Sequence, residues 1–221
     1  LGRLTSIDYP GSEEDVTVTY RPTETQREGM SAASYSQTYD YDGLGRLERT
    51  TYDVASKAGT HTKLLDYRYD NLGREIATIY PGNDTVVRHE YEGAYLRKVC
   101  EVQSEFSDCD DSNAHSYVDN VVYDDIGRRI RMEMPPGDRE FDYWSTNHRL
   151  KQTVFTGTSP GNYSRTVDYD VYDQIGNVLA ISGTSSTGAV SLWANYTYDE
   201  RNRLSTWETS SGTEHFTYDQ L

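Results

Sequence analysis

The sequence predicts an all-β fold, an array of antiparallel β-hairpins joined into one continuous curved sheet. Three observations support this prediction. A motif of Tyr-Asp followed two residues later by Gly-Arg recurs along the chain, aromatic and polar residues alternate beside it, and no long window has the period of a helix. The copies lie about 20 to 50 residues apart, a spacing typical of proteins whose repeats cannot bury their apolar faces alone.

The motif has three clear copies and two looser ones. The clear copies contain Tyr41, Asp42, Gly45 and Arg46; Tyr69, Asp70, Gly73 and Arg74; and Tyr123, Asp124, Gly127 and Arg128. The looser copies contain Tyr172, Asp173 and Gly176, and Tyr198, Asp199 and Asn202. Residues 144–150 and 91–96 match the motif more weakly. A motif used this often is typical of a scaffold rather than of a catalytic site.

Each copy has the chemistry of a tight turn. In Asp-x-x-Gly the Asp takes the first position of a type I turn, where its carboxylate accepts backbone N–H groups, and Gly takes the fourth. A Gly with positive φ closes a hairpin with a bulge, whose twist suits antiparallel strands. Asn tolerates this conformation best among the other residues, and Asn202 stands at the Gly position of its copy.

The flanking residues alternate as in β-strands. Pairs of aromatic residues separated by one polar residue occur at Tyr39 and Tyr41, Tyr67 and Tyr69, Tyr196 and Tyr198, and Phe216 and Tyr218. A second short stretch follows the turn, such as 75–80 or 129–134, and a Pro-Gly pair ends it. The repeating unit is therefore strand, turn, strand and breaker.

The composition conflicts at first with a folded chain. Leu, Ile, Val and Phe make up less than a fifth of the residues, the net charge is −15 and the mean hydropathy is −0.82, values that favour disorder. The 20 Tyr and 3 Trp reverse this expectation, because each aromatic ring buries a large area while its polar atom stays in water. The composition therefore predicts a thin, Tyr-rich sheet with one apolar face.

The same features bound the organisation and the partners. The repeat runs from end to end without linker composition, so residues 1–221 are expected to form a single array segment, cut within a motif at both ends. No apolar run is long enough to span a membrane. The acidic balance excludes a nucleic-acid surface, and no cofactor motif is present. Strands left unpaired at the two ends predict edge-to-edge self-association.

These motifs resemble the YD-repeat family, also called RHS (rearrangement hotspot) repeats, over nearly the whole chain. The family includes bacterial polymorphic toxins, the BC component of insecticidal toxin complexes, and teneurins. The resemblance implies a sheet of hairpins that spirals into a hollow shell, which encloses a C-terminal effector in the toxins and belongs to an adhesion receptor in teneurins. The sequence lacks the family's C-terminal plug, self-cleaving aspartate motif and toxin domain, so no proteolytic residue is carried over.

Other candidate sites have simpler interpretations. Residues 157–161 match the G-x-S-x-G pattern of a nucleophile elbow, but Pro160 lacks the N–H that an oxyanion hole needs. Asp108, Asp110, Ser112 and Asp119 fit part of a calcium-loop frame, without its Gly, its Glu or its flanking helices. We therefore expect no catalytic residue, no cofactor site and no metal site, and interpret the recurring Asp as turn-forming.

Cys100 and Cys109 are the only cysteines. A disulfide that closes a hairpin loop, two free thiols, and a pair of metal ligands are three alternatives that the sequence leaves open, although a metal would require further ligands at short spacing. A disulfide would favour an oxidising location, on the cell surface or outside the cell.

Two functions from different classes are consistent with this sequence. The first is a non-catalytic segment of a shell that encapsulates a C-terminal toxin, with neighbouring repeats of the parent chain and the toxin as partners. The second is an adhesion or carbohydrate-binding surface that contacts cell-surface glycans through exposed Tyr and Trp, the latter being Trp144, Trp193 and Trp207. Both predict a secreted or cell-surface protein. The family resemblance favours the first.

Overall fold

The computed structural model describes residues 3–8, 15–22, 25–82, 85–158, 161–186 and 192–218. These residues form strands and turns without any helix, and their strands pair in antiparallel fashion. The prediction of an all-β fold built from antiparallel hairpins is thus confirmed. The described residues contain no helix that could cross a membrane.

The strands belong to two open sheets, whereas the sequence predicted one continuous sheet. In both sheets the strand order follows the chain, so each strand pairs with its neighbours in sequence. The motif specifies the turn within a hairpin. The boundary between the two sheets depends instead on which strands pair, and the motif does not encode that pairing.

The first sheet has ten strands: β1 (Ser6–Ile7), β2 (Val16–Tyr20), β3 (Arg27–Ser31), β4 (Tyr35–Tyr41), β5 (Leu47–Ser56), β6 (Gly59–Tyr69), β7 (Glu75–Ile79), β8 (Val86–Glu92), β9 (Tyr95–Val102) and β10 (His115–Val118). The second sheet has nine: β11 (Asn120–Tyr123), β12 (Arg129–Glu133), β13 (Gly137–Tyr143), β14 (Leu150–Gly157), β15 (Tyr163–Tyr172), β16 (Val178–Ser185), β17 (Leu192–Tyr198), β18 (Leu204–Thr209) and β19 (Gly212–His215).

The chain divides into two compact units, Leu1–Ser116 and Tyr117–Leu221, with the boundary inside β10. The expectation that residues 1–221 form a single array segment stays a prediction, which rests on a repeat whose composition is not interrupted at this point.

Few apolar side chains are buried. The described residues bury eight of them, and five form one cluster in the first unit: Ala77, Ile79, Val86, Cys100 and Val102. The clustered residues come from β7, β8 and β9, and Cys109 and Ala114 of the following loop pack against them. A cluster of this size removes little apolar area from water, so contacts between neighbouring hairpins must contribute much of the stability.

The recurring motif lies at hairpin turns with bulges. Gly73 has a φ of +80°, and the register shifts between Arg68 and Tyr69, where the bulge lies. Gly45, Gly127 and Gly176 also have positive φ, and Asn202 adopts a φ of +59° at the same position of its turn. The turn therefore demands a left-handed backbone, which Gly and Asn adopt at the least cost.

We predict that Gly73→Val destabilises the fold by about 1–3 kcal/mol, because a β-branched residue is strained at positive φ. Gly73 is the best position for this test, since the nearest atom to an added Cβ is Arg46 Nη1 at 3.8 Å, an ordinary contact. Gly73→Asn should cost much less. Urea unfolding measures both variants, and equal losses would show that Gly is required for packing instead.

Candidate functional site at the joints between hairpins

Each turn is built around the carboxylate of its Asp. In the second clear copy, Asp70 Oδ1 accepts the backbone N–H groups of Leu72 and Arg74 at 2.8 and 3.0 Å, and Oδ2 accepts Arg74 Nε at 2.7 Å. The carbonyl of Asp70 accepts the N–H of Gly73 at 3.0 Å and so closes the turn. The same contacts recur around Asp42, Asp124 and Asp199.

These hydrogen bonds hold the turn carboxylates in the ionised form. The pKa of Asp42 lies below its usual value of 3.8, chiefly because the backbone N–H of Arg46 donates to it, and the Arg46 side chain adds to the effect. The pKa of Asp199 is lowered in the same way by Arg203. At Asp70 the largest single effect is desolvation, which raises the pKa, but the hydrogen bonds together outweigh it. Each carboxylate is thus committed to its own turn.

A tyrosine hydroxyl bridges neighbouring hairpins at repeated positions along both sheets. The strand ladder between β5 and β6 ends at Arg49 and Asp66, and Tyr69 Oη then donates to the carbonyl of Leu47 at 2.8 Å, two residues beyond the ladder. The same contact, at 2.7–2.9 Å, runs from Tyr20 to Leu4, Tyr41 to Arg27, Tyr69 to Leu47, Tyr91 to Glu75, Tyr143 to Arg129, Tyr172 to Leu150, Tyr198 to Val178, and Tyr218 to Leu204.

The motif arginine adds a second contact between hairpins. The Arg46 guanidinium, held by Asp42, lies 4.6 Å from the centre of the Tyr69 ring, and its Nη1 donates to the carbonyl of Asp70 at 3.2 Å. Similar stacks at 4.3–5.3 Å join Arg3 to Tyr20, Arg74 to Tyr91, Arg128 to Tyr143, Arg149 to Tyr172, and Arg203 to Tyr218. We call the Tyr, the stacked Arg and the accepting carbonyl a hairpin joint.

The degenerate copies keep the joint and change its parts. At the weak copy 144–150, His148 takes the left-handed position with φ of +60°, and Asn147 Oδ1 replaces the Asp oxygen by accepting the N–H of Arg149. In the copy at 91–96, Gly93 opens a two-residue turn between Glu92 and Tyr95. The structure thus retains the left-handed turn residue and the tyrosine hydrogen bond in copies whose residues depart from the motif.

One joint lacks its cation. Asn177 stands where the other copies have Arg; its amide still donates to Asp173 Oδ2 at 2.9 Å, and Tyr198 Oη still reaches the Val178 carbonyl at 2.9 Å. The amide carries no charge for a cation–π contact, so this joint keeps the hydroxyl contact of Tyr198 without the cation.

The two cysteines fasten a loop to the first sheet. Cys100 of β9 and Cys109 of the loop 103–114 are joined by a disulfide, which corresponds to one of the three alternatives that the sequence left open. Cys100 is fully buried in the apolar cluster, while Cys109 and Ala114 cover that cluster. The loop therefore supplies a part of the small core that the sheet itself cannot.

Charged residues hold the same loop at its beginning. Glu105 Oε2 accepts Arg68 Nε at 2.8 Å, and the carbonyl of Glu105 accepts Arg88 Nη1 at 3.1 Å. Asp66, which is buried beside Arg68, pairs with Arg49 at 2.5 and 2.8 Å, and this lowers the pKa of its carboxyl. These residues on β5, β6 and β8 form one continuous set of contacts beneath the loop.

The residues considered for chemistry take part in turns and strands where the structure describes them. No cluster of three or more metal-binding side chains occurs in the ranges that the structure describes. Asp108 Oδ1 accepts the N–H of Asp110, which is a turn contact. The serine and proline of the G-x-S-x-G match lie outside the described residues, and its first glycine, Gly157, ends β14.

The sequence indicates the turns but not the joints. It predicts Tyr, Asp and Gly, with Arg in the clear copies, as turn residues, and it places the tyrosine hydroxyl in water rather than on a neighbouring carbonyl. The signal was present, since Arg follows Gly in the clear copies and an aromatic residue stands at the end of the next strand. The contact that links them spans 22 positions in the case of Tyr69 and Leu47, a separation that no local pattern reveals.

Comparisons with known proteins show which solved structures share this architecture. No family model matches the chain, and no curated protein matches it. Solved structures do match. The crystal structure of TcdB2-TccC3-Cdc42 superposes with a TM-score of 0.60 at 13% identity, covering 93% of this chain and 11% of that one. The chain has the fold of a segment of these proteins.

Two further solved structures agree. The crystal structure of TcdB2-TccC3 gives a TM-score of 0.59 at 12% identity over 90% of this chain and 11% of that one. The Photorhabdus luminescens Tc holotoxin pore with a TccC3 mutation gives 0.59 at 18% identity over 86% of this chain and 10% of that one. This chain therefore spans about a tenth of the length of the chains it matches, and at these identities the likeness concerns the fold alone.

We predict that Asn177→Arg stabilises the chain by about 0.5–1 kcal/mol, the usual contribution of a cation–π contact at a partly exposed site. The new guanidinium would stack on Tyr198 as Arg74 stacks on Tyr91. Arg74→Asn, the reverse change at a complete joint, should destabilise by a similar amount. Urea unfolding measures the free energy of unfolding of both variants. If Asn177→Arg leaves it unchanged while Arg74→Asn lowers it, the stack is not the stabilising element.

Acid should weaken the turns. The pKa of Asp199 is lowered in the fold, so its contribution to stability is present above the unfolded value near 3.8 and is lost as the pH falls through the lower folded value. The unfolding temperature should therefore fall as the pH is lowered through this window. Asp199→Asn should show a shallower fall than the wild type, and parallel curves for the two proteins would contradict the assignment.

Proposed function

We propose that this chain is a non-catalytic structural segment of a YD-repeat shell that encloses a C-terminal toxin or effector of its parent chain. The observation that carries the proposal is the hairpin joint. The joints commit the ionisable turn residues to their own turns and neighbours, as with Asp70, Arg74 and Tyr91. Repeated joints of this kind extend a wall from one hairpin to the next, as expected of a structural segment.

The comparisons and the motif support the same proposal from different directions. The motif resembles the repeats of a family that includes the BC component of insecticidal toxin complexes, and the solved structures of similar fold are TcdB2-TccC3 and Tc holotoxin chains. The disulfide between Cys100 and Cys109 favours a secreted or surface location, because such bonds persist in oxidising surroundings. The partners of this chain would be the adjoining repeats and the enclosed cargo.

The adhesion alternative relies on exposed Tyr and Trp, including Trp144, Trp193 and Trp207, as stacking platforms for glycans. Trp207 lies opposite Tyr196 in the register of β17 and β18, and Trp193 is three residues before Tyr196 on the same strand. Successive residues of a strand point to opposite faces, so Trp193 and Trp207 lie on different faces of the sheet. Trp144 belongs to a turn, where Lys151 lies 5.6 Å from its ring. This arrangement favours the shell over a glycan platform.

Protease protection in the full-length parent chain tests the proposal. The segment that follows the repeats should resist proteinase K in the intact chain and be degraded when expressed alone. Arg46→Asn combined with Arg74→Asn removes the cations of two joints and should shorten the protection. Lys57→Asn combined with Arg201→Asn is the matched control, since it removes two exposed cations without touching a joint.

Two results would contradict the shell role. One is a following segment that is degraded equally fast inside the wild-type parent chain and alone. The other is equal loss of protection in the joint variant and in the control. Retained protection with specific glycan binding by the same chain would instead support a surface that adheres as well as encloses.

A further inference from the structure

The second sheet sorts its charged residues between its two faces. Alternation along β13 places Asp138, Glu140 and Asp142 on one face and Arg139 and Phe141 on the other. Residues that face each other in an antiparallel ladder share a face, so the register extends this assignment to the neighbouring strands. On the face of Arg139, the paired positions from β12 to β16 include no Asp and no Glu. This is unusual in a chain whose net charge is −15.

One row of side chains crosses this face from strand to strand. In the register Arg139 of β13 lies opposite Phe155 of β14, and Phe155 lies opposite Arg165 of β15. A phenyl ring thus stands between two arginines. Neighbouring strands are about 4.8 Å apart, so roughly 10 Å separates the backbones of the two arginines.

The ring of Phe155 belongs to a fixed aromatic surface. Its centre lies 5.5 Å from the centre of the Tyr163 ring, at an interplanar angle of 48°. The Tyr163 ring lies against Gly157, where an added Cβ would collide with it. The glycine therefore leaves room for the tyrosine ring beside Phe155. Phe155 is half-buried while both arginines are exposed, so the row presents an apolar centre with a cation on each side.

The two arginines of the row are not engaged within the chain. In the part of the chain that the structure describes, neither Arg139 nor Arg165 has a salt bridge, a side-chain hydrogen bond or a cation–π contact. By contrast, Arg131 on the other face is paired with Asp138 at 2.5 Å, and Arg129 lies 5.4 Å from the centre of the Phe141 ring. The guanidinium groups of the row can therefore bind a ligand, and their planar geometry matches that of a carboxylate.

We propose that the row of Arg139, Phe155 and Arg165 binds an acidic helical segment of another polypeptide. Two carboxylates of the segment pair with the arginines, and an apolar side chain between them packs on Phe155. A helix has this arrangement when its carboxylates are at positions i and i+7, about 10.5 Å apart, with apolar residues at i+3 and i+4. An extended strand fits less well, because the residues on one of its faces recur at about 6.7 and 13.4 Å.

The charge of the whole chain favours a ligand that has few charges. A polyanion such as a nucleic acid or a sulfated glycan brings many negative charges close to a chain of net charge −15, which repels it. A second copy of this chain meets the same repulsion. A helix with two carboxylates at the right spacing meets much less. This inference concerns a surface of the second unit alone and does not depend on the shell role.

Binding of a rhodamine-labelled helical peptide, followed by fluorescence anisotropy at low salt, tests the proposal. The peptide is based on alanine and glutamine, with Glu at i and i+7 and Leu at i+3 and i+4. Arg139→Gln and Arg165→Gln should each weaken its binding about threefold, as expected for the loss of one exposed ion pair. Arg201→Gln is the matched control, since it removes the same charge from an exposed turn position outside the row and should leave the affinity unchanged. Equal unfolding temperatures would show that all three variants remain folded.

A second peptide separates the arrangement of the carboxylates from their charge. Moving one Glu from i+7 to i+5 keeps the composition and turns the two carboxylates about 140° apart around the helix, so this peptide should bind the wild type more weakly. Equal binding of the two peptides, or no measurable binding to the wild type, would overturn the proposal.

Three further results would also overturn it. Equal weakening by Arg139→Gln and Arg201→Gln would mean that only the overall charge attracts the peptide. Heparin that binds the row as tightly as the peptide would mean that the surface takes any polyanion. A dimer of the wild type that Arg139→Gln dissociates, measured by sedimentation, would assign the row to a second copy instead.

Discussion

The fold depends on the hydrogen bond from a tyrosine hydroxyl to a backbone carbonyl of the preceding hairpin. Between β5 and β6, and between β12 and β13, the backbone ladder stops two residues short of the carbonyl that the tyrosine reaches. The tyrosine side chain thus joins the two strands beyond their last backbone pair. Since the described residues bury few apolar groups, this contact and the arginine stack beside it reinforce the backbone ladder that joins one hairpin to the next.

The motif works because one arginine serves two hairpins. Arg46 is fixed by Asp42 of its own turn and stacks on Tyr69 of the next, so forming a turn also prepares the binding surface for its neighbour. Ordering the guanidinium within its turn reduces the conformational entropy lost when the joint forms. The stability of the array is then close to a sum of turns and nearest-neighbour joints. A joint without the cation, such as that of Asn177 and Tyr198, weakens one step and leaves the others intact.

The two units supplement the joints in different ways. In the first, the loop 103–114 is held by a disulfide and by Arg68 and Arg88, and covers an apolar cluster. In the second, charge is sorted by face, with the carboxylates of β13 on one side and Phe141 on the other. A sheet without a thick core leaves both of its faces accessible. The side chains on each face therefore decide what that face can contact.

The sequence by itself determined the local structure: all-β hairpins, the turn at each Asp-x-x-Gly, the left-handed position and its tolerance for Asn. These features depend on backbone sterics and on contacts within a few residues, which a motif encodes directly. Only the tertiary structure decided the pairing of each tyrosine with a distant carbonyl, the division into two sheets, the disulfide, and the sorting of charge between faces. These depend on strand register, and register brings together residues whose separation along the chain carries no local signal.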